Sequence, residues 1–209
     1  MTETVLFHYW RSSASYRVRI ALNLAHVPYR AVEVDLQNDD QRTPEHLARN
    51  PQGFVPVLDI DGHRLCQSLA IVDYLDQTRS LSLLPAEPAA RAQLLALAQI
   101  LAIDIHPICN LQVLRHVQQI CSDNTPQTQD WMQRFIRPGL AAFAAALGSE
   151  GDAVFCCGTR PSLADICLIP QLYNARRWGV RYDDLPRLCE IEDRCNQLQA
   201  FQDAHPDAV

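Results

Sequence analysis

Three serines and an arginine, within Arg11-Ser12-Ser13-Ala14-Ser15, stand where an apolar run, Val5 to Trp10, hands over to a helical pattern that continues to about Ala25. Such a junction offers backbone N–H groups that no helix bond uses and a positive local potential. It also offers short hydroxyls that cap a helix or donate to an anion. From Thr4 to Val32 there is no Asp or Glu, yet there are four arginines, Arg11, Arg17, Arg19 and Arg30, in a chain of formal charge -6. The stretch suits a small anionic ligand or a thiolate. It equally suits an N-cap beside a solvated arginine face, and taken alone it does not decide between them.

Further along, Val55-Pro56 opens a strand pattern, where a missing N–H is tolerated. An X-Pro bond there is either trans or cis, and sequence does not show which. Gln67-Ser68 precedes the run Leu69 to Leu75. Ser68 reads as an N-cap whose hydroxyl and N–H could also receive a carboxylate. Asp104, His106 and Asn110 are polar groups on an otherwise apolar helical face, around Pro107. They read either as cleft residues or as a satisfied buried network. Arg176 and Arg177 fall near a helix C-terminus, where cations oppose the helix dipole and can reach an acidic substrate. Ser162 and Asp165 form an S-x-x-D capping box, which reads as structural.

The elements that must hold these residues follow from periodicity. Val5 to Tyr9 is a strand pattern, and Val18, Ala21, Leu22 and Ala25 recur at helical spacing. Tyr29 to Leu36 reads as a second strand and Asn38 to Asn50 as a weak helix. Val57 to Ile60 and His63 to Cys66 flank Asp61-Gly62, a hairpin signal, and the helix after Ser68 completes β-α-β-α-β-β-α. Residues 1–82 are therefore expected to form one α/β domain. Leu81 to Pro88 reads as a linker, and 88–209 as an all-helical domain. Within it, Ala89 to Ile120 is expected to kink at Pro107, and Gln127 to Leu147 to break at Pro138-Gly139. Val154 to Cys156 is the one strand candidate there, and Leu185 to Phe201 reads as a helical hairpin.

Bulk properties narrow the function. With 209 residues, 48% apolar and 20% charged, the chain can bury a real core. An acidic balance argues against nucleic acid, whose phosphates need a basic face. The longest apolar segment, Ala92 to Ile105, contains Gln93, Gln99 and Asp104 and is too short to span a bilayer. Glu3 and His8 interrupt any leader pattern, so a cytoplasmic protein is expected. The eight cysteines form no C-x-x-C pair and no zinc spacing, so no metal is expected, and the thiols read as reduced. The vicinal pair Cys156-Cys157 is a minor redox candidate.

A small β-α-β-α-β-β-α domain followed by a helical one resembles the glutathione transferase fold, with its thioredoxin-like first domain. Arg11-Ser12-Ser13-Ala14-Ser15-Tyr16-Arg17-Val18-Arg19 resembles the zeta-class signature of that family, and Asp104-Ile105-His106-Pro107-Ile108-Cys109-Asn110 resembles the zeta stretch opening its second domain. Val55-Pro56, Gln67-Ser68 and the Ser162 box match the wider superfamily, so the likeness covers nearly the whole chain. The zeta group includes maleylacetoacetate and maleylpyruvate isomerases.

The resemblance implies glutathione as cofactor. It places Ser12 at the glutathione sulfur, with Ser13 and Arg11 also catalytic. Val55, beside a cis Pro56, would pair with the cysteinyl part, while Gln67 and Ser68 would hold the γ-glutamyl end. Asp104, His106 and Asn110 would lie near the glutathione edge. Arg11 and Arg177, with Arg176 as the lesser neighbour, would bind the carboxylates of a small dicarboxylate substrate. The implied reaction is cis–trans isomerisation of a maleyl β-diketo acid, maleylacetoacetate above all, by a homodimer. Maleylpyruvate isomerisation and displacement on α-halo acids are the alternatives, and a non-catalytic glutathione-binding module is a third. Two departures stand out. Ala14 occupies the place of a usual cysteine, and Gln112 that of an arginine common in bacterial relatives.

Overall fold

Val5–His8 (β1), buried along its whole length, is the strand on which the first half of the chain is assembled. Its parallel neighbour, Arg30–Glu33 (β2), is reached through the helix Ser13–Leu24 (α1), a βαβ unit. On its other side Val57–Ile60 (β3) runs antiparallel and turns back as His63–Cys66 (β4), so the sheet order is β2-β1-β3-β4. Asp61 and Gly62 both have positive φ (53° and 80°), as a two-residue hairpin turn with the twist of its strands requires. β2 is shorter than the run Tyr29 to Leu36 suggested. The weak helical pattern after Asn38 resolves into a 3-10 turn, Asp40–Arg42, and a short helix, Pro44–Arg49 (α2), started by Pro44 and capped by Thr43.

The structure, a computed structural model, describes residues 3–121, 125–148 and 153–209. The chain divides into two compact units: Met1–Ser82 with Gln197–Val209, and Leu83–Asn196. Residues 197–209, grouped by sequence with the helical domain, thus cluster with the first unit. Their helix Gln199–Gln202 (α9) packs on α1, and Phe201 and Ala204 are buried. α1 is the core helix of this unit, with Tyr16, Val18, Ile20, Ala21 and Leu22 almost wholly enclosed. It also packs against Ser68–Arg79 (α3).

The second unit has helices joined by turns, and no strand among its described residues. Pro88–Gln99 (α4) passes into a π-helical turn, Ile100–Ile105, then a 3-10 turn, Pro107–Cys109, and then Leu111–Ile120 (α5). The expected single kink at Pro107 is therefore three changes of helix type. The His106 N–H reaches back five residues to the Leu101 carbonyl (3.1 Å), and Pro107 has no N–H to continue that pattern. By length and composition the run Pro88–Ile120 reaches what a membrane crossing needs, a longer run than the sequence reading marked. It is not one continuous α-helix.

Thr125–Leu147 (α6) runs unbroken through Pro138, contrary to the expected interruption. Met132, Ile136, Leu140 and Phe143 on its inner face are essentially fully buried. At ~1.5–3 kcal/mol for each such side chain, that burial outweighs the ~3 kcal/mol penalty of one internal proline. Gly139 is needed there for space, since a Cβ would overlap Cδ1 and Cγ1 of Ile105. Leu163–Arg177 (α7) is the buried central helix, followed by Pro186–Asn196 (α8). No strand forms at Val154 to Cys156. The N–H groups of Val154 and Phe155 both bond the Gly158 carbonyl (2.8 and 3.1 Å), closing a turn instead.

Candidate active site

Ser12 is the N-cap of α1, and its Oγ accepts from the Ser15 N–H at 3.2 Å. That use occupies a lone pair and leaves the hydroxyl proton available to an outside acceptor. The Ala14 N–H has no partner among the described residues, and no acid stands in the first turn. Ser13 is buried beside it. Arg11 lies over the Trp10 ring at 5.0 Å and reaches the Tyr9 hydroxyl at 3.4 Å. It has no carboxylate partner among the described residues. The start of α1 is thus a cluster of donors and positive charge, with no acid in its first turn.

Strand register brings the other two segments to this end of the sheet. Phe7 pairs with Val57, and Val57 with Cys66. So Trp10-Arg11-Ser12 after β1, Val55-Pro56 before β3 and Gln67-Ser68 after β4 all emerge from the same edge. Tyr9, Val55 and Val57 share one core cluster, with Trp10 and Cys66 packed against it.

The Val55–Pro56 bond is cis. The Phe54 carbonyl before it accepts twice, from His46 Nε2 and Asn50 Nδ2, each at 3.0 Å. In a trans peptide the C=O and the next N–H point opposite ways. Pinning the Phe54 carbonyl towards α2 therefore turns the Val55 N–H away from it. Neither the N–H nor the carbonyl of Val55 has a partner among the described residues.

Gln67, with φ of 69°, is the N-cap position of α3, and Ser68 is the first helical residue rather than the cap. The sequence expectation is corrected by one position because the Gln67 backbone turns sharply at the end of β4. Gln67 Nε2 donates to Gln52 Oε1 at 2.8 Å. The Ser68 hydroxyl accepts from Arg17 Nε at 3.1 Å, and both side chains are buried.

In the second unit, Asp104 is exposed on the π-helical turn and His106 half-buried at its end. Asn110 caps α5, its Oδ1 accepting from the Val113 N–H at 2.9 Å, so only its NH2 faces other partners. Arg176 does not stand as an open clamp. It pairs with Glu192 at 2.6 Å, and the Tyr182 hydroxyl donates to the same carboxylate. Burial raises the Glu192 carboxyl pKa, with Arg176 and Tyr182 opposing. Arg177 donates to Asn174 Oδ1 at 3.5 Å and lies over the Trp178 ring. Asp165 is structural as expected. It accepts from the Ser162 N–H and hydroxyl and from the Cys156 N–H.

Five of the eight thiols are held protonated by burial. Burial pushes Cys109 up to about 12, and burial also raises Cys156 and Cys195. Cys66 and Cys189 are raised for the same reason. None of these five supplies a ready thiolate at this site.

Residues 3–77 match the family model for the glutathione S-transferase N-terminal domain, and residues 125–201 that for its C-terminal domain. The chain belongs to the glutathione S-transferase family. Maleylacetoacetate isomerase of Rhizobium meliloti is 56% identical over 206 residues, covering 98% of this chain and 97% of its own length. The holo structure of a maleyl pyruvate isomerase, a bacterial glutathione S-transferase of zeta class, superposes with a TM-score of 0.95 at 35% identity, covering 98% of each chain. A maleylacetoacetate isomerase from Methylobacterium extorquens AM1, with bound malonate and GSH, superposes with a TM-score of 0.92 at 38% identity, covering 98% of this chain and 97% of its own.

Within this transferase fold, three side chains that the sequence reading did not single out for the site do the positioning: Arg17, His46 and Asn50. Asn50 had a signal in the Asn50-Pro51 pair, since its Oδ1 also accepts from the Gln52 N–H at 3.1 Å, an Asx turn. Arg17 had one in being a cation among the apolar positions of a buried helix. His46 had none, because its contact depends on the loop's closure.

Proposed function

We propose that this chain is a glutathione-dependent cis–trans isomerase of a maleyl β-diketo acid, with maleylacetoacetate its preferred substrate. The observation that carries the reading is Ser12. Its oxygen caps α1 and its proton has no acceptor among the described residues, at a helix N-terminus beside an arginine without a carboxylate partner among them. The names borne by the relatives support the same assignment.

Glutathione is a short peptide with one thiol and two carboxylates, and the groups left without partners match that inventory. Val55 offers a peptide N–H and carbonyl, the start of α3 offers N–H donors, and Ser12 and Ser68 offer hydroxyl protons. When bound, glutathione supplies a nucleophilic sulfur for reversible addition to the cis double bond. The Ser12 hydroxyl donates towards that sulfur and favours its anion, each unit of lowered pKa amounting to about 1.4 kcal/mol. The Ala14 N–H and the α1 dipole act in the same direction, with Ser13 supporting the turn. Arg11, pre-oriented on Trp10, holds a substrate carboxylate and opposes charge developing on the substrate's carbonyl oxygens. Gln67 and Ser68 hold the γ-glutamyl end. In the second unit we assign Arg177 to the far substrate carboxylate, and Asp104, His106 and the Asn110 amide to the cofactor's edge. Arg176 is not carried forward. Because the attacking sulfur belongs to the cofactor, Ala14 in place of a cysteine does not remove the chemistry.

Thiolate absorbance of bound glutathione tests the reading. Wild type should lower the apparent thiol pKa relative to free glutathione, and Ser12→Ala should return it by about one unit or more. An unchanged value in Ser12→Ala sinks the assignment. Paired assays should show turnover of maleylacetone well above that of dichloroacetate, the reverse pointing to halide displacement. We further place the enzyme in the cytoplasm, as a homodimer, in tyrosine or related aromatic degradation.

A further inference from the structure

We infer that Arg17 is a positioning residue for the carboxylate end of the ligand. By donating to the Ser68 oxygen it makes that hydroxyl an outward donor and renders the start of α3 selective for a carboxylate. The inference rests on the glutathione reading above.

The direction of the hydrogen bond is fixed by chemistry. A guanidinium has only donors, so in the Arg17 Nε–Ser68 Oγ pair, 3.1 Å long, the serine can only accept. Its proton must then go elsewhere, and no acceptor among the described residues takes it. Ser68 is 6% exposed and Arg17 3% exposed, so bulk water does not readily serve either. A buried hydroxyl proton without an acceptor is costly, and a ligand acceptor removes that cost.

The backbone around Ser68 makes the same demand. A helix usually satisfies its first N–H groups with an N-cap side chain. Gln67 makes no such bond, and the first turn of α3 holds no acid. The N–H groups of Ser68, Leu69 and Ala70 have no partner among the described residues. Three backbone donors and one hydroxyl donor thus converge, with a permanent cation directly behind the hydroxyl. A neutral acceptor would satisfy the donors. Only an anion also gains from the cation and from the helix dipole, both strengthened by burial. The rival role for Arg17 is a tie between α1 and α3, 51 residues apart, that has no preference among ligands.

Calorimetric titration of the full chain separates these roles. The ligands are glutathione, its analogue lacking the γ-glutamyl carboxylate (4-aminobutyryl-cysteinyl-glycine), and its glycine amide. Wild type should lose about 30-fold in affinity for the decarboxylated analogue and only a few fold for the amide. Arg17→Met should weaken glutathione about tenfold but the decarboxylated analogue less than twofold, with Arg17→Lys between wild type and Met. Equal weakening of both ligands by Arg17→Met makes Arg17 a structural tie and overturns the inference. If Arg17→Met does not fold, the same comparison with Arg17→Lys decides it. Ser68→Ala serves as the reference for the site itself. Indifference of wild type to the γ-glutamyl carboxylate refutes the placement at Ser68, whatever Arg17 does.

Discussion

The guanidinium of Arg19, fully enclosed in the first unit, donates from Nε to the Ala204 carbonyl at 2.9 Å, across 185 residues of chain. Its Nη2 donates to the Trp10 carbonyl at 2.9 Å, and its Nη1 meets His8 Nδ1 at 3.2 Å. One side chain therefore holds both the turn that presents Arg11 and Ser12 and the segment 197–209.

Arg19→Met should leave two buried carbonyls short of a donor and lower stability by about 3 kcal/mol. Urea unfolding measures the loss, and amide hydrogen exchange should rise selectively in residues 197–209. Unchanged exchange there would show that Arg19 is not what holds the segment.

His8 gives the fold an acid-sensitive point. Burial, then the adjacent Arg19 cation, lowers its pKa from 6.5 to about 4, so the folded state holds it neutral with Nδ1 as acceptor. Between these values the unfolded chain binds the proton and the folded chain does not, so stability falls as pH drops. The contribution is fully present above pH ~6.5 and lost towards pH ~4, up to about 3 kcal/mol at 1.4 kcal/mol per pH unit. His8→Asn, which keeps an acceptor and cannot titrate, should flatten that limb in thermal melts taken across this range.

Asn50→Ala should raise KM for glutathione by about three- to tenfold with little change in kcat, because one of the two donors on the Phe54 carbonyl is gone and the Val55 peptide is less firmly turned outward. Steady-state kinetics at saturating second substrate reads the split. An equal fall in kcat with unchanged KM would place Asn50 in some other role.

Gly139→Ala should destabilise the second unit by about 1–3 kcal/mol, since the added methyl meets Ile105. Ile105→Val in the same chain should recover part of that loss. Additive losses in the double variant, measured by denaturant unfolding, would mean the clash is relieved elsewhere.

Local pattern carried the sheet, the capping boxes and the site segments a long way. Ser12 at a strand-to-helix junction, Asp61-Gly62 between two short strands, and Ser162 three residues before Asp165 each declare their geometry within a few residues. What pattern missed depends on distant partners. The continuity of α6 through Pro138 is set by its buried face, which outweighs a strong local breaker. The π turn before Pro107 carries Ile105 onto Gly139 of α6, a partner 34 residues away that no local pattern announces. Arg176 and Arg177 share one local pattern, and where the resemblance only preferred Arg177, the position of Glu192 on α8 lets it pair with Arg176. Arg17 and Arg19, read as part of a basic face, prove to be buried because α3 and residues 197–209 close over α1.

That closure bears on synthesis. The carbonyl that completes the Arg19 cage is made 185 residues after Arg19 itself, and the whole second unit is translated in between. A nascent chain carrying only the first eighty residues has the strands and Ser12 yet exposes Tyr16, Arg19 and the face of α1 that Phe201 covers. Its glutathione-binding half is thus expected to mature only after the second unit has been made, leaving an open interval in which chaperones engage that face.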